Sequence, residues 1–358
     1  MPAEELTPRE RVCLALEHRE TDRIPIAMIC GGINAPARRE LEEYLGRERR
    51  MTVDDLVRPL VDVWQVGPEY VGPELAPGVD FWGVHRREVS YGEGSYLEID
   101  GFPLAGVEDA GDLDRHAWPS TEWFDYSVIP GRIAELRAES DVAVYVANGN
   151  IFESSWYMRG FEKMLMDFVL NPELARAIMT RTTDFLVEHF RAMLSAAPGE
   201  IDLAMTADDI GGQSGLLMSL EMWDEFLRPH HARLNAAIHE FGAKVIYHTD
   251  GSVMEAVPGL IDMGVDVLQA LQFSADGMEP GALKGGFGDR LCFEGGVSVQ
   301  TTLPFGSPDD VRAEVEELIT VLGRDGGYIL GPSHAVQAGT PPENIAAMFD
   351  TAAGFYPF

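Results

Sequence analysis

The feature of this sequence that most constrains its fold is a set of short, nearly unbroken apolar runs, each followed by a segment of helical periodicity. IPIAMIC from Ile24, VAVYVA from Val142, IDLAMT from Ile201, AKVIYH from Ala243, DVLQALQ from Asp266, LCFEGG from Leu291 and GYILG from Gly327 are the seven runs. A strand covered on one face alternates polar and apolar residues, so a continuous run marks a strand buried on both faces, as in a parallel sheet clothed by helices. The intervening helices carry start signals. Asn171-Pro172-Glu173 and Ser307-Pro308 set a capping side chain before a proline, and Thr340-Pro341-Pro342-Glu343 adds an acid at the capping-box position. With an eighth strand expected among residues 60 to 110, the alternation predicts an α/β chain folded as one (β/α)8 TIM barrel over residues 1–358. The exception is the segment from about Val79 to Pro119, which alternates around Gly92-Glu93-Gly94 and predicts a β-hairpin insertion over one barrel mouth.

Composition narrows the function. The chain has 27 basic and 59 acidic side chains, a net charge of -32, which excludes general nucleic-acid binding because a phosphate backbone needs a basic footprint. The three cysteines, Cys13, Cys30 and Cys292, match neither a disulfide framework nor a CxxC motif and point to a reducing compartment. No stretch suits a membrane span and the first residues do not read as a secretory leader, so a cytoplasmic protein without a membrane partner is expected.

Barrel chemistry sits where strands end, at the carboxyl face. The residues there are Asn148 and Asn150, Asp208-Asp209 with Gln213, His248 and Asp250, Gln269 and Gln272, Glu294, and His334. His248 and Asp250 are two apart at a strand end, so they point to the same side and can offer one nitrogen and one oxygen to a shared ion. Such a pair suits zinc or another divalent metal, with a third ligand from a neighbouring strand: His334 first, then Glu294, Asp208 or Cys292. The competing reading is a hydrogen-bonded pair that orders the loop before Gly251. Asp208 or Asp209 would act as acid or base, and Asp209 could equally cap the following helix. Asn148, Gln213, Tyr247, Gln269 and Glu294 are expected to face the substrate, although Tyr247 and Trp156 also suit the wall of the core.

The opening TPRERVCLALEHRETDRIPIA and the stretches ADDIGGQSGLLMS, EFLRPHHARLNAAIHEFGAKVIYHTDGSV, LIDMGVDVLQALQFSADGM, FGDRLCFEGGVSVQTTLPFGSPDDVRAEV and GGYILGPSHAVQAGTPPENIAAMF resemble the uroporphyrinogen decarboxylase superfamily. The resemblance implies a (β/α)8 barrel; a fold alone does not imply one activity. In the decarboxylase branch an Arg-rich motif follows the first strand, where this chain has Cys30-Gly31-Gly32-Ile33-Asn34-Ala35-Pro36 and no arginine until Arg38 and Arg39. That is poorly suited to a polycarboxylate substrate. The corrinoid-linked methyltransferase branch carries zinc on a His-x-Cys motif and a later Cys or His. His248-Thr249-Asp250 and His334, in a Gly-Pro-Ser-His segment, fall at those positions, with Asp250 in place of the cysteine. The resemblance therefore implies a metal-dependent methyltransferase that passes a methyl group from a small O-methyl donor to a corrinoid on a partner protein. The oxygen ligand suggests a Lewis acid acting on an ether or alkoxide oxygen. A decarboxylase-like lyase and a non-catalytic ligand-binding barrel are the alternatives, and a homodimer is compatible with the sequence.

Overall fold

In the computed structural model, which describes residues 6–90, 95–355 and 357–358, eight parallel strands close into a barrel. They are β1 (Ile26–Ala27), β2 (Val61–Gln65), β3 (Ala143–Asn150), β4 (Leu203–Ala207), β5 (Lys244–His248), β6 (Val267–Gln269), β7 (Cys292–Val297) and β8 (Tyr328–Pro332). Each strand pairs with its neighbours in chain order, and β8 closes on β1 through Ile26 and Leu330. The strand expected between residues 60 and 110 is β2.

Both faces of these strands are apolar because each faces a different core. Ala27, Val63, Ala143, Leu203, Met205, Ala207, Ile246, Val267, Cys292 and Ile329 fill the barrel interior. The alternate residues, among them Val144, Ala204, Val245, Tyr247, Leu268, Phe293 and Leu330, pack outward with the helices. This parity decides which strand-end side chains can meet inside the mouth.

The amino end of the barrel is stoppered. Helix Pro8–Leu16, started by a Thr7–Glu10 capping box, sends Val12 and Leu16 into the interior cluster. Buried ion pairs hold it there. Arg11 Nη1 donates to Asp62 Oδ1 at 2.6 Å, Arg23 Nη1 donates to Asp62 Oδ2 at 2.7 Å, and the Ile26 N–H donates to Asp62 Oδ2 at 2.7 Å. Two guanidinium groups and an amide thus offset the burial of a carboxylate with no solvent exposure. Most of the opening motif is this fastening.

The insertion contains the expected hairpin, with antiparallel strands His85–Ser90 and Ser95–Gly101; its Gly92-Glu93-Gly94 turn lies outside the described residues. Its anchors are on the helices after β3. Arg159 donates to the carbonyls of Leu104 and Val107 at 2.7 and 2.5 Å. Trp82 meets Phe185 edge-on, with ring centroids 5.2 Å apart.

Two helix starts differ from expectation. Asn171 stands at the N-cap of helix Pro172–Ala196 just before Pro172, but its side chain makes no capping bond; its Nδ2 donates instead to the Glu108 carbonyl at 3.1 Å. Helix Pro342–Gly354 has Pro341 at its cap position, one residue beyond Thr340, whereas Ser307 does form a capping box with Asp310. Among the described residues no helix is long and apolar enough to cross a membrane.

Candidate active site

His248 ends β5 with the inward parity of Ile246. Its register partner on β6 is Gln269, and the imidazole Nδ1–H donates to the Gln269 Oε1 carbonyl. That bond fixes the ring and turns Nε2 toward the open mouth. There Nε2 lies 3.8 Å from Cys30 Sγ and 3.7 Å from Asp209 Oδ1. The His334 ring, just past β8, has its centroid 5.7 Å from that of His248. Two overlapping donor groups result: Cys30, His248 and His334, and Asp209, His248 and Asp250, with the ligand atoms of each group within 4.8 Å of one another.

Sequence reasoning passed over Cys30 because it reads as the last residue of an apolar run, 218 residues from His248. The available signal was its place at a strand end. The chain turns there through positive φ, +60° at Cys30 and +94° at Gly31. Burial alone would raise the Cys30 thiol, but hydrogen bonds and charge from His248 and His334 outweigh it and hold the group at about 6. Burial would likewise lower His248, yet Cys30, with Asp250 and Asp209, brings it to about 10. Burial raises Asp250 against the opposing pull of His248.

Glu294 is fully buried on β7 beside Gln269, and neither carboxylate oxygen meets hydrogen-bond geometry with a donor among the described residues. Burial and the nearby Cys30 push it up to about 8. A second acid missed in the sequence is Glu153, which accepts from Asn150 Nδ2 at 2.6 Å and from the Tyr157 hydroxyl at 2.8 Å. Burial, with Asp208 and Asp209 nearby, raises it to about 7.

Several expected site residues lie elsewhere. Asp208 faces outward, fully buried, and accepts from the Phe152 and Glu153 N–H groups at 2.8 Å each, with His231 Nε2 at 2.5 Å. It fastens the helix after β3 rather than facing the mouth. Tyr247 has the same outward parity, no exposure, and an edge-on contact with His231. Gln269 is buried, and its Oε1 holds the His248 imidazole. Cys292 lies two residues below Glu294, with Sγ 3.7 Å from the Ala15 and Leu16 carbonyls at the stoppered end. Asn148 lines a separate cleft of about 440 Å³ with Phe81, Phe124, Phe185 and His189. Asp209, in contrast, turns inward, and its Oδ1 accepts from the Asp250 N–H at 2.9 Å.

Above His334 and Asp250 opens a cleft of about 490 Å³ whose walls include Gln272, Gln300, Ser333, Gln337 and Phe305. Gln272 organises one wall. Its Nε2 donates to Gln213 Oε1 at 3.2 Å and Gln300 Oε1 at 3.1 Å, while its own carbonyl accepts from the Gly251 N–H at 3.0 Å. No Lys or Arg is among the described lining residues.

A closed parallel barrel with thiol, imidazole and carboxyl groups gathered at the carboxyl ends of its strands has the build of a barrel enzyme. The chain belongs to the uroporphyrinogen decarboxylase family: the model described as "Uroporphyrinogen decarboxylase (URO-D)" matches residues 89–355. Among curated proteins it is 24% identical over 201 residues to uroporphyrinogen decarboxylase of Anaeromyxobacter dehalogenans (strain 2CP-C), covering 55% of this chain and 53% of that one. It is 23% identical over 194 residues to the same enzyme of Azoarcus sp. (strain BH72), covering 50% and 48%. The matches thus span about half the length of these relatives. Among solved structures, a methyltransferase from Methanosarcina mazei superposes with a TM-score of 0.68 at 19% identity, covering 98% of this chain and 100% of that one. That likeness is one of fold.

Proposed function

We propose that this protein is a metal-dependent methyltransferase that moves a methyl group from a small O-methyl or similar donor to the cobalt of a corrinoid carried on a partner protein. The observation that carries the reading is His248: an imidazole oriented from behind by Gln269, with Nε2 facing further thiol, imidazole and carboxylate donors at the barrel's open mouth. That donor set fits a borderline divalent ion such as zinc, held on His248 and its neighbours. When bound, the ion supplies positive charge to an oxygen that leaves as the methyl carbon's bond to it breaks and a bond to cobalt forms. The chain's own groups do the rest. Gln269 keeps Nε2 aimed into the mouth, and the Gln272 network shapes the wall.

A polycarboxylate substrate is less well served, because no Lys or Arg is among the residues lining the cleft beside His334 and Arg38 is the one basic side chain among those lining the cleft at Gly31 and Gly32. The test is to mix zinc-loaded protein with a cob(I)alamin-bearing corrinoid protein and a neutral methoxy compound, and to follow conversion of cobalt(I) to methylcobalt by its spectrum. Conversion is expected, with loss of both bound metal and conversion in His248→Ala. No conversion with any methoxy donor, together with release of carbon dioxide from a carboxylated substrate, would favour the lyase reading.

A further inference from the structure

We infer that Cys30 is itself a ligand of the metal, and that Cys30, His248 and His334 hold the ion while Asp209 and Asp250 remain at the rim. The assignment rests on the metal dependence of the proposed reaction and is independent of methyl transfer.

Distance supports it first. Tetrahedral zinc, with bonds of ~2.3 Å to sulfur and ~2.0–2.1 Å to nitrogen, sets sulfur and nitrogen ligands roughly 3.5 Å apart. Cys30 Sγ and His248 Nε2 are 3.8 Å apart, and His334 completes a group whose ligand atoms all lie within 4.8 Å. Donor availability comes next. Asp209 shares its Oδ1 with the Asp250 N–H, and its side chain is 41% exposed, so water already satisfies much of it. The Cys30 thiol is half-buried and faces the two imidazoles. The two groups are equally buried, so commitment decides between them: Asp209 already holds the Asp250 N–H, whereas the Cys30 sulfur faces the imidazoles.

Glu294 is the independent observation. Its carboxyl group, buried and with no donor in hydrogen-bond geometry among the described residues, lies close enough to Cys30 and His248 to interact electrostatically with both. Burial favours the neutral form of that group, and an ion on Cys30, His248 and His334 would be the positive charge that lets it ionise. A Cβ at Gly331 would meet the Ala27 carbonyl at 2.5 Å and Glu294 Oε1 at 2.8 Å, so glycine there admits the close approach of both. Donor softness then selects the ion: a thiolate with two imidazoles suits zinc over Mg²⁺ or Mn²⁺. The oxygen-rich site suggested by Asp250 in the sequence gives way to one that contains sulfur.

The protein stripped of metal and reloaded with Zn²⁺ or Co²⁺ tests this without any methyl donor. The cobalt form is expected to show thiolate-to-cobalt charge-transfer absorption in the near ultraviolet. Cys30→Ser should abolish that band and weaken zinc binding by at least an order of magnitude, whereas Asp250→Asn keeps both. Glu294→Gln should keep the band and weaken zinc about ten-fold or more, as removal of a group supporting a metal site does. Zinc should also protect Cys30, more than Cys13, from alkylation in the unaltered chain, a measurement that needs no variant to fold. A cobalt form without the band, equal alkylation of Cys30 with and without zinc, or zinc lost as fully in Asp250→Asn as in Cys30→Ser would overturn the assignment. The band without methyl transfer would leave the ligand set standing and remove the proposed reaction.

Discussion

Asp208 and Asp209 are adjacent in sequence and face opposite layers, because side chains alternate along a strand and just past its end. Asp208 satisfies two amide donors and an imidazole in the helix layer, while Asp209 reaches the mouth. Asp208→Ala is therefore expected to cost ~3 kcal/mol or more in stability, since three buried donors lose their acceptor, and to leave bound zinc unchanged. Urea unfolding beside metal analysis checks both halves; metal lost at full stability would put Asp208 in the site after all. The sequence shows where strands end but not which parity faces inward, so Asp208 and Tyr247 look as eligible as Asp209 and His248. Once Ile246 and Ala207 are seen to line the interior, the sorting follows. Cys30 was hidden for another reason. Its partners come from β5 and from just past β8, and only barrel closure brings those ends together.

Among the elements, the seven continuous runs were legible because burial on both faces removes polar residues. β2, VDVWQ, escaped notice because Asp62 interrupts it, and Asp62 is there for Arg11 and Arg23. The insertion's hold on helix Pro172–Ala196 could not be read at all, since it depends on aromatic rings far apart in the chain. His189 packs beside that contact, stacked on Phe185 and hydrogen-bonded through Nδ1 to the Tyr126 hydroxyl at 2.7 Å, and burial lowers it from 6.5 to about 4. Between those values the unfolded chain takes up a proton that the folded one refuses, so stability falls as pH drops from about 6.5 to 4 and this contribution then levels off. At ~1.4 kcal/mol per tenfold change in proton affinity, the drop from 6.5 to about 4 is worth ~3 kcal/mol. His189→Asn keeps an acceptor for Tyr126 and should flatten that part of the pH profile in denaturant titrations. An unchanged slope would show that His189 does not set it.

For the molecule as a whole, the charge of -32 and a cleft without Lys or Arg among its described lining residues act in the same direction. A neutral methoxy compound is expected to bind with an affinity indifferent to ionic strength. Its carboxylated analogue should bind more weakly at low salt and recover as salt screens Asp209 and Asp250. Gln300→Arg, which sets a cation on the cleft wall, should shift preference toward the carboxylated compound on the order of ten-fold. Calorimetric titration of both compounds at two salt concentrations reads these effects. Tighter binding of the carboxylated compound to the unaltered protein at low salt would contradict the electrostatic reading.

The stopper formed by Val12 and Leu16 has a bearing on the order of events. A barrel packed shut at its amino end leaves the carboxyl mouth as the approach to His248. A small donor and a bulky partner protein would then come from the same side. In the proposed reaction the methyl donor is expected to be seated first, with the docked partner then covering it from water.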